Sequence, residues 1–417
     1  MRSFASKTSV LSLTAILCSA FSGASPTQAA EAKLTPSLAV SEEYNDNVLD
    51  SATDRRSDFI TRVQPGMALR YRAPSLNGDV SYSFDYQNYA RRTVENEENH
   101  YLNLRATAEV VKNLFFLEVS DTLSRVSLDA TRDVTTESLY ANLTDQNRAI
   151  VSPYLLWRLG EKSTLKTGYR FTDTSYWSSP GVDKREHRAF AEINHDPAAR
   201  LNFNLGYAWS RSRSEPLDFD QHDLHAGIRY EYLEKSLLFG GLGNSWQAPS
   251  VGSSVSNPFW NAGITRDFGY LLATLETRVE YTEDPLTLSN KTTSYSLSME
   301  KPLQHGTVGV SSAYRKYVDT LGAFSRERRK AEVGGFWRGE LSPRLSATVT
   351  VSGDKVTRQT LQNYAYHLNS GAGLSYSFND DITASLNYSY VEYRRDLDST
   401  ADSRWTNRVV LTVKKLF

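Results

Sequence analysis

The chain has 417 residues, a formal net charge of −1 and a mean hydropathy of −0.48. A nucleic-acid-binding protein should be basic, so the near-neutral charge argues against that class. Tyr, Phe and Trp (24, 17 and 7 residues) are numerous beside 3 Met, a balance that favours β-structure. After residue 30, no apolar stretch is long enough for a helical membrane span, and no linker-like segment divides the chain.

Residues 1–30 have the pattern of a secretory signal peptide. Two basic residues precede a short apolar run, and small residues follow up to Ala29 and Ala30. This order of segments is typical of such signals, and the apolar run is too short to cross a bilayer as a helix. We predict cleavage after Ala29 or Ala30. The only cysteine, Cys18, would be removed, and residues 31–417 would form one domain without disulfides.

From residue 36 onwards, alternating segments of about ten residues recur roughly every twenty residues. In one of them Val80 and Tyr82 alternate with Ser81 and Ser83. A period of two with one apolar side indicates a strand whose faces meet different surroundings. Strands of soluble proteins average about five or six residues, so these longer segments favour transmembrane strands over a soluble sandwich.

The connections between these segments alternate in length. Short turns rich in Gly, Pro, Asn and Asp, such as Lys112-Asn113, alternate with longer polar stretches, the longest from Asp129 to Asn147. Short periplasmic turns and long external loops are typical of outer-membrane barrels. The sequence predicts an all-β fold, a transmembrane antiparallel outer-membrane β-barrel of about 20 strands, with 18 as the alternative. Its first strand is expected near Ser37 to Asn45.

The chain ends inside an alternating segment, from Arg404 to Phe417. Leu411 and Val413 fall on the same face as the terminal Phe417. A soluble edge strand is one interpretation. A barrel is the other, because its last strand must pair with its first and because the assembly machinery reads a terminal aromatic residue. Lys415 departs from the aromatic that is more usual there. We predict that Phe417 is an assembly signal and that the barrel-assembly machinery is a partner.

The sequence holds no recognisable catalytic or cofactor-binding motif. The 7 histidines are scattered, and neither a His-Glu-x-x-His pair nor a Gly-x-Ser-x-Gly elbow occurs. His222 and His225 should lie on opposite faces of a strand. The glycine-rich stretch from Gly240 to Gly243 lacks a following helix, which favours a close strand crossing or a bulge over a phosphate site. We predict a protein that is not an enzyme and has no cofactor, with a hydrolase at the barrel rim as the alternative.

A calcium site is the remaining chemical candidate. Asp46, Asp50, Asp54 and Asp58 recur at a regular interval near the N-terminal end of the predicted barrel. The interval matches no calcium-binding loop, so solvated loop acids are the favoured interpretation and no metal is predicted.

Charged residues also recur on the polar faces of the strands, which we expect to face a hydrated lumen. Their signs are mixed, so they can form salt-bridge ladders between strands or a polar track for a hydrated polymer. The predicted lumen-lining residues are Arg105, Glu109, Lys166, Arg170, Arg229, Glu231, Glu276, Arg278, Glu300, Arg315 and Arg338.

The stretch from residue 40 to residue 71 is the most distinctive. It contains Glu-Tyr-Asn-Asp-Asn at 43–47, Ser-Asp-Phe-Ile-Thr at 57–61 and Pro-Gly-x-x-Leu-Arg-Tyr at 65–71. The Pro-Gly pair should bend the second strand or form a bulge. These residues resemble the opening of a family of outer-membrane barrels known as β-barrel porin 2, with a close group associated with PEP-CTERM and exopolysaccharide systems.

This resemblance implies an outer-membrane barrel tied to exopolysaccharide production or export, and it supplies no catalytic residues. We therefore predict a channel or scaffold for exopolysaccharide export in the bacterial outer membrane. A general diffusion porin for small solutes is the alternative within the same class. The expected partners are outer-membrane lipid, periplasmic polysaccharide-export proteins and the polysaccharide, and nucleic acid is not expected.

Overall fold

The computed structural model describes residues 30–128, 143–177, 181–214, 218–282, 290–319, 327–358, 365–396 and 403–417. Nearly all of the predicted signal peptide and most of the predicted longest loop lie outside these residues. No helix in the described ranges is long and apolar enough to cross a membrane. The strands are β1 (Glu31–Asn45), β2 (Asp58–Ala73), β3 (Leu76–Tyr89), β4 (Glu97–Val111), β5 (Phe115–Ser127), β6 (Leu143–Arg158), β7 (Ser163–Tyr176), β8 (Lys184–Ala198), β9 (Leu201–Ser214), β10 (Phe219–Leu233), β11 (Ser236–Pro249), β12 (Val255–Asp267), β13 (Leu272–Thr282), β14 (Asn290–Leu303), β15 (Gly306–Asp319), β16 (Glu327–Ser342), β17 (Leu345–Arg358), β18 (Tyr366–Ser377), β19 (Ile382–Arg394) and β20 (Arg404–Leu416).

The 20 strands form one closed antiparallel barrel. Each strand pairs with its neighbours in the sequence, and β1 also pairs with β20, from Ser37 opposite Leu416 to Asn45 opposite Arg408. Closure leaves no sheet edge, which hydrocarbon surroundings require because unpaired backbone groups have no water to bind there. The predicted 20-stranded barrel is confirmed, and the 18-stranded alternative is wrong.

The connections define two different rims. Turns of a few residues follow the even-numbered strands and form the short-turn rim, whereas longer connections follow most odd-numbered strands and form the long-loop rim. Asn113 and Lys235 adopt left-handed backbone conformations in two of the short turns, with φ of 58° and 53°. The turn at Glu234 and Lys235 was not predicted, because it contains none of the usual turn residues. The first strand also begins earlier than predicted, at Glu31.

Side chains alternate between the two faces of the barrel wall, apart from register shifts near four of the short turns. In β20, Leu411 is 51% exposed, whereas Arg408, on the other face, forms an ion pair with Glu43. Large exposed Leu, Val, Tyr and Trp side chains cover one face of the wall, which is therefore the lipid-facing outer face. The opposite, inner face carries charges, amides, hydroxyls and several glycines, although some charged residues near the long-loop rim point outward.

No bulge forms at either of the two places where the sequence allowed one. Pro65 interrupts the pairing of β2 with β3, but Val63 opposite Tyr86 and Gly66 opposite Ser83 keep the same register, so no residue is inserted. Pairing with β1 continues through Pro65 and supports the strand from its other side. The stretch 240–243 likewise pairs regularly with both neighbours and has no bulge. Close approach of side chains, described below, accounts for its glycines.

Candidate functional site in the barrel lumen

Strand alternation places all eleven predicted lumen-lining residues on the inner face. Their positions follow from register: Arg105 stands opposite Asp79, and Arg278 opposite Ser294. That these side chains line a path for a solute stays a prediction. In the structure, some of these residues, which we call the paired group, form close ion pairs, whereas the others have looser contacts or no ion pair among the described residues.

The paired group forms ladders between strands and along them. Arg278 contacts Glu276 on its own strand, with 2.6 Å between Nη2 and Oε1, and also reaches Glu280 at 3.4 Å. Arg315 on β15 pairs with Glu332 on β16. The ladder interpretation of the sequence therefore describes this part of the inner face.

The ladder continues across β16, β17 and β18 through residues that were not on the predicted list of lining positions. Lys330 Nζ lies 3.4 Å from Glu332 and 3.7 Å from Asp354. His367 Nδ1 lies 2.7 Å from Asp354 Oδ2. Because these side chains interact with one another, they make the barrel wall more rigid. They are therefore less available to bind a passing solute.

Other inner-face charges interact more loosely. Lys166 lies 3.9 Å from the centre of the Tyr154 ring and 4.0 Å from Glu118, and Arg170 lies 5.7 Å from the centre of the Phe190 ring. Arg338 and Glu300 are 4.0 Å apart. Glu109 accepts a hydrogen bond from the backbone N–H of Asn113. Within the described ranges, Arg105, Arg229 and Glu231 form no ion pair.

A recess of about 440 Å³ opens in the inner wall where β9, β10, β11 and β12 meet. We call it the glycine recess, because Gly227 and Gly241 form its floor. Arg229 is the one predicted lining residue that borders it. The side chains around it that point inward are Asn204, His225, Arg229, Leu237, Phe239, Phe259 and Asn261.

Glycines on neighbouring strands let the planar side chains of the recess lie flat against the wall. Phe259 lies over Gly243, and Phe239 lies over Gly263, so closely that a Cβ at either glycine would overlap the ring. The Asn261 amide covers Gly241 in the same way. Each ring therefore turns a face, rather than an edge, towards the lumen.

The polar side chains of the glycine recess are free to bind a solute. Asn204, His225, Arg229 and Asn261 form no side-chain hydrogen bond and no ion pair within the described residues. They combine amide donors and acceptors, an imidazole and a guanidinium beside two aromatic faces. A recess of this volume falls in the range of small-molecule sites, which is about 300–1,000 Å³.

Sequence reasoning found Arg229 but missed the recess. Phe239 and Phe259 have no distinguishing local pattern, and the glycines that flatten them belong to other strands. Alternation alone could have placed the two phenylalanines on the polar face, where large apolar residues are out of place. That exception to the pattern was the available signal. The sequence correctly separated His222 and His225, which lie on opposite faces.

The four aspartates considered as a calcium site have separate partners. Among the described residues, no cluster of three or more His, Cys, Asp or Glu side chains could hold a metal ion. Each of these carboxylates has its own contact, and Asp54 is also largely exposed to solvent, at 63%. The contacts are Asp46 to Arg55 at 2.7 Å, Asp50 to Arg404 at 3.0 Å, Asp54 to Arg56 at 2.7 Å, and Asp58 to the backbone N–H of Arg91 at 2.8 Å.

The distinctive segment 43–47 closes the barrel. The backbone and side-chain N–H groups of Asn407 donate to Asp46 at 2.7 and 2.8 Å, and the Asn47 amide donates to the Trp405 carbonyl at 3.0 Å. Glu43 pairs with Arg408. These residues of the resemblance therefore join β1 to β20, which is a structural role.

The terminal Phe417 side chain is 63% exposed, and its backbone N–H donates to the Pro36 carbonyl at 3.0 Å. Lys415 Nζ lies 4.6 Å from the centre of its ring. The geometry leaves the ring accessible on the lipid-facing side of the short-turn rim. Its function as an assembly signal stays a prediction.

Solved structures similar to this chain include siderophore receptors and an iron transporter. A mutant of the ferric enterobactin receptor PfeA from Pseudomonas aeruginosa matches with a TM-score of 0.54 and 9% identity, over 94% of this chain and 81% of that one. The FrpB iron transporter from Neisseria meningitidis gives a TM-score of 0.54 and 11% identity, over 92% and 81%. The siderophore receptor PirA from Pseudomonas aeruginosa gives 0.52 and 12%, over 94% and 81%.

This chain is an outer-membrane β-barrel. At these identities the likeness shows the fold alone, and the long-loop rim takes the extracellular side that long loops occupy in such barrels. No family model matches the chain, and no curated protein matches it. The resemblance to the β-barrel porin 2 family therefore rests on residues 40–71.

Proposed function

We propose that this outer-membrane barrel is a passive conduit through which an exopolysaccharide crosses the outer membrane. The observation that carries the proposal is the glycine recess, where two aromatic faces stand beside four polar side chains that have no partner within the part of the chain that the structure describes. The resemblance of residues 40–71 to barrels of exopolysaccharide systems points in the same direction.

The chemistry of a sugar chain fits this arrangement. The C–H face of a pyranose is apolar and packs on an aromatic ring, while its hydroxyl groups exchange hydrogen bonds with amides such as those of Asn204 and Asn261. Arg229 would bind the carboxylate of an acidic sugar through charge-assisted hydrogen bonds. Transport requires contacts that are strong enough to admit the polymer and weak enough to release it. Half-buried amides and an exposed guanidinium on an open wall meet that requirement.

A general diffusion porin is the second candidate. It is favoured by inner-face charges that are widely open to solvent near the short-turn rim, such as Arg338, whose side chain is 62% exposed. Such a porin would pass small solutes without recognising a sugar ring. The iron and siderophore functions named for the similar structures belong to those proteins, and a shared fold does not transfer their ligands.

A hydrolase at the rim finds little support. Ser163 Oγ lies 2.9 Å from His195 Nδ1 at the short-turn rim, on the lipid-facing side. No carboxylate in the described ranges hydrogen-bonds to His195 to orient it as a general base. The pair lacks the third group that a nucleophilic site needs.

Deletion of the gene in its host tests the proposal. Exopolysaccharide is measured in the medium and in the periplasm, with and without the wild-type gene. We expect loss from the medium and recovery on complementation, but no recovery with a Phe239→Ala, Phe259→Ala double variant that still reaches the outer membrane. Unchanged secretion together with altered uptake of small solutes would instead favour the diffusion porin.

A further inference from the structure

The outer face of the barrel contains a groove of about 510 Å³ between β16, β17, β18 and β19. It lies towards the long-loop rim. Gly353 leaves a gap in the middle of its floor, and the outward side chains of Ala331, Val333 and Leu368 surround this gap. The groove is therefore apolar where it faces the hydrocarbon of the membrane.

The edge of the groove nearest the long-loop rim is polar and basic. Lys355, Tyr366 and Arg394 stand opposite one another in a single row across β17, β18 and β19. Lys355 Nζ lies 5.0 Å from the centre of the Tyr366 ring and forms no ion pair within the described residues. Arg394 Nε lies 2.6 Å from Glu392.

Further cations extend this edge along the outer face. Lys316 and Arg329 stand directly opposite each other on β15 and β16 and share the carboxylate of Glu327, at 2.9 and 2.5 Å. Four cations thus meet three carboxylates, those of Glu327, Glu392 and Asp396. The edge keeps an excess of positive charge, and Lys355 is its least neutralised member.

We propose that this groove binds a phosphorylated lipid of the outer leaflet. One acyl chain would lie over Gly353, and the phosphate would contact Lys355 and Arg394. The occupant must be a lipid, because the groove opens on the face that is covered by hydrocarbon. The excess of positive charge at the edge selects an anionic headgroup, and basic side chains at a membrane surface attract one. The groove lies outside the lumen, so this proposal is independent of what the barrel transports.

A substitution that fills the groove with a larger side chain tests the proposal most directly. A Cβ on Gly353 would lie 3.6 Å from the His367 carbonyl oxygen and 3.9 Å from Leu368 Cδ1, which are ordinary contact distances. Gly353→Leu should therefore fold and occupy the acyl position. Gly335→Leu is the matched control, because Gly335 also faces outward and a Cβ there would be 3.5 Å from its nearest neighbour, outside the groove.

A second variant and its control test the positive charge at the edge of the groove. Lys355→Gln removes the one of the four edge cations that forms no ion pair within the described residues. Lys291→Gln is the control, since Lys291 also points outward near the long-loop rim and packs 5.8 Å from the Tyr281 ring. Each protein is first checked for folding by its change of gel mobility on boiling.

The experiment titrates bisphosphorylated lipid A into the purified barrel in detergent micelles and counts bound lipids by native mass spectrometry. We expect saturable binding that is at least about tenfold weaker in Gly353→Leu and Lys355→Gln but unchanged in both controls. Dephosphorylated lipid A should bind the wild type more weakly by a similar factor. Equal affinity of all five proteins, or of both lipids, would overturn the proposal.

Discussion

The guanidinium of Arg408 donates to the carboxylate of Glu43 across the seam between the last and the first strand, with 2.8 Å between Nε and Oε1. Arg62 on β2 donates to the same carboxylate from the other side, at 2.9 Å. The Glu43 side chain is only 1% exposed. One buried carboxylate therefore joins three strands at the point where the barrel closes.

Glu43→Gln should destabilise the closed barrel, because it leaves two arginines without a buried counter-charge. Removing one partner of a buried ion pair typically costs about 3–5 kcal/mol. The loss is measured as a lower urea midpoint for unfolding of the reconstituted barrel, followed by gel mobility. Glu42→Gln is the control, since Glu42 points outward and, among the described residues, accepts a side-chain hydrogen bond only from the Thr61 hydroxyl, at 2.8 Å. Equal midpoints for the two variants would show that the seam does not depend on this carboxylate.

The two rings of the glycine recess should control binding of sugars in the lumen. Phe239→Ala and Phe259→Ala each remove a stacking face, which we expect to weaken blockade of single-channel conductance by oligosaccharides roughly two- to tenfold. Phe336→Ala is a matched control, because Phe336 also lies flat over a glycine, Gly309, but does not border the recess. Blockade that is reduced equally in all three variants would contradict a specific site.

The glycines of β11 should differ in their tolerance of a side chain. A Cβ on Gly243 would overlap both the Phe259 ring and the Leu224 carbonyl oxygen, and overpacking of this kind costs about 1–3 kcal/mol. On Gly240 the nearest atom would be the Asn261 carbonyl oxygen, 3.9 Å away. Gly243→Ala should therefore lower the urea midpoint, whereas Gly240→Ala should leave it unchanged. A reversed order would contradict the flat packing of Phe259.

The sequence was sufficient for the architecture because the signal for a strand is local. Alternation within each segment predicted the strands, and the alternation of turn lengths predicted their even number. Prediction from the local sequence failed where pairing with a neighbouring strand determines the backbone conformation. Pro65 and Gly66 were expected to bend the second strand or to form a bulge, but no bulge forms, because pairing with β1 keeps β2 in register.

The candidate site depends on register, which no single segment contains. Phe259 and Gly243 face each other only because β12 pairs with β11 in one particular alignment. The same holds for Arg229, which was predicted as a lining charge among many. That it has no ion pair among the described residues became visible only when the ladders of Arg278 and Arg315 were assembled.

Arg229 should distinguish acidic from neutral sugars. Arg229 borders the recess and has no ion pair within the described residues. Arg229→Ala should therefore weaken blockade by an acidic oligosaccharide about tenfold, as expected for loss of a charge-assisted hydrogen bond, and leave blockade by a neutral one almost unchanged. Blockade of the wild type by the acidic sugar should also weaken with rising salt, and the variant should lose this dependence. Arg338→Ala is the control, because Arg338 is an exposed inner-face arginine near Glu300, outside the recess. If both variants discriminate between the two sugars as the wild type does, then the charge of the recess does not select the solute.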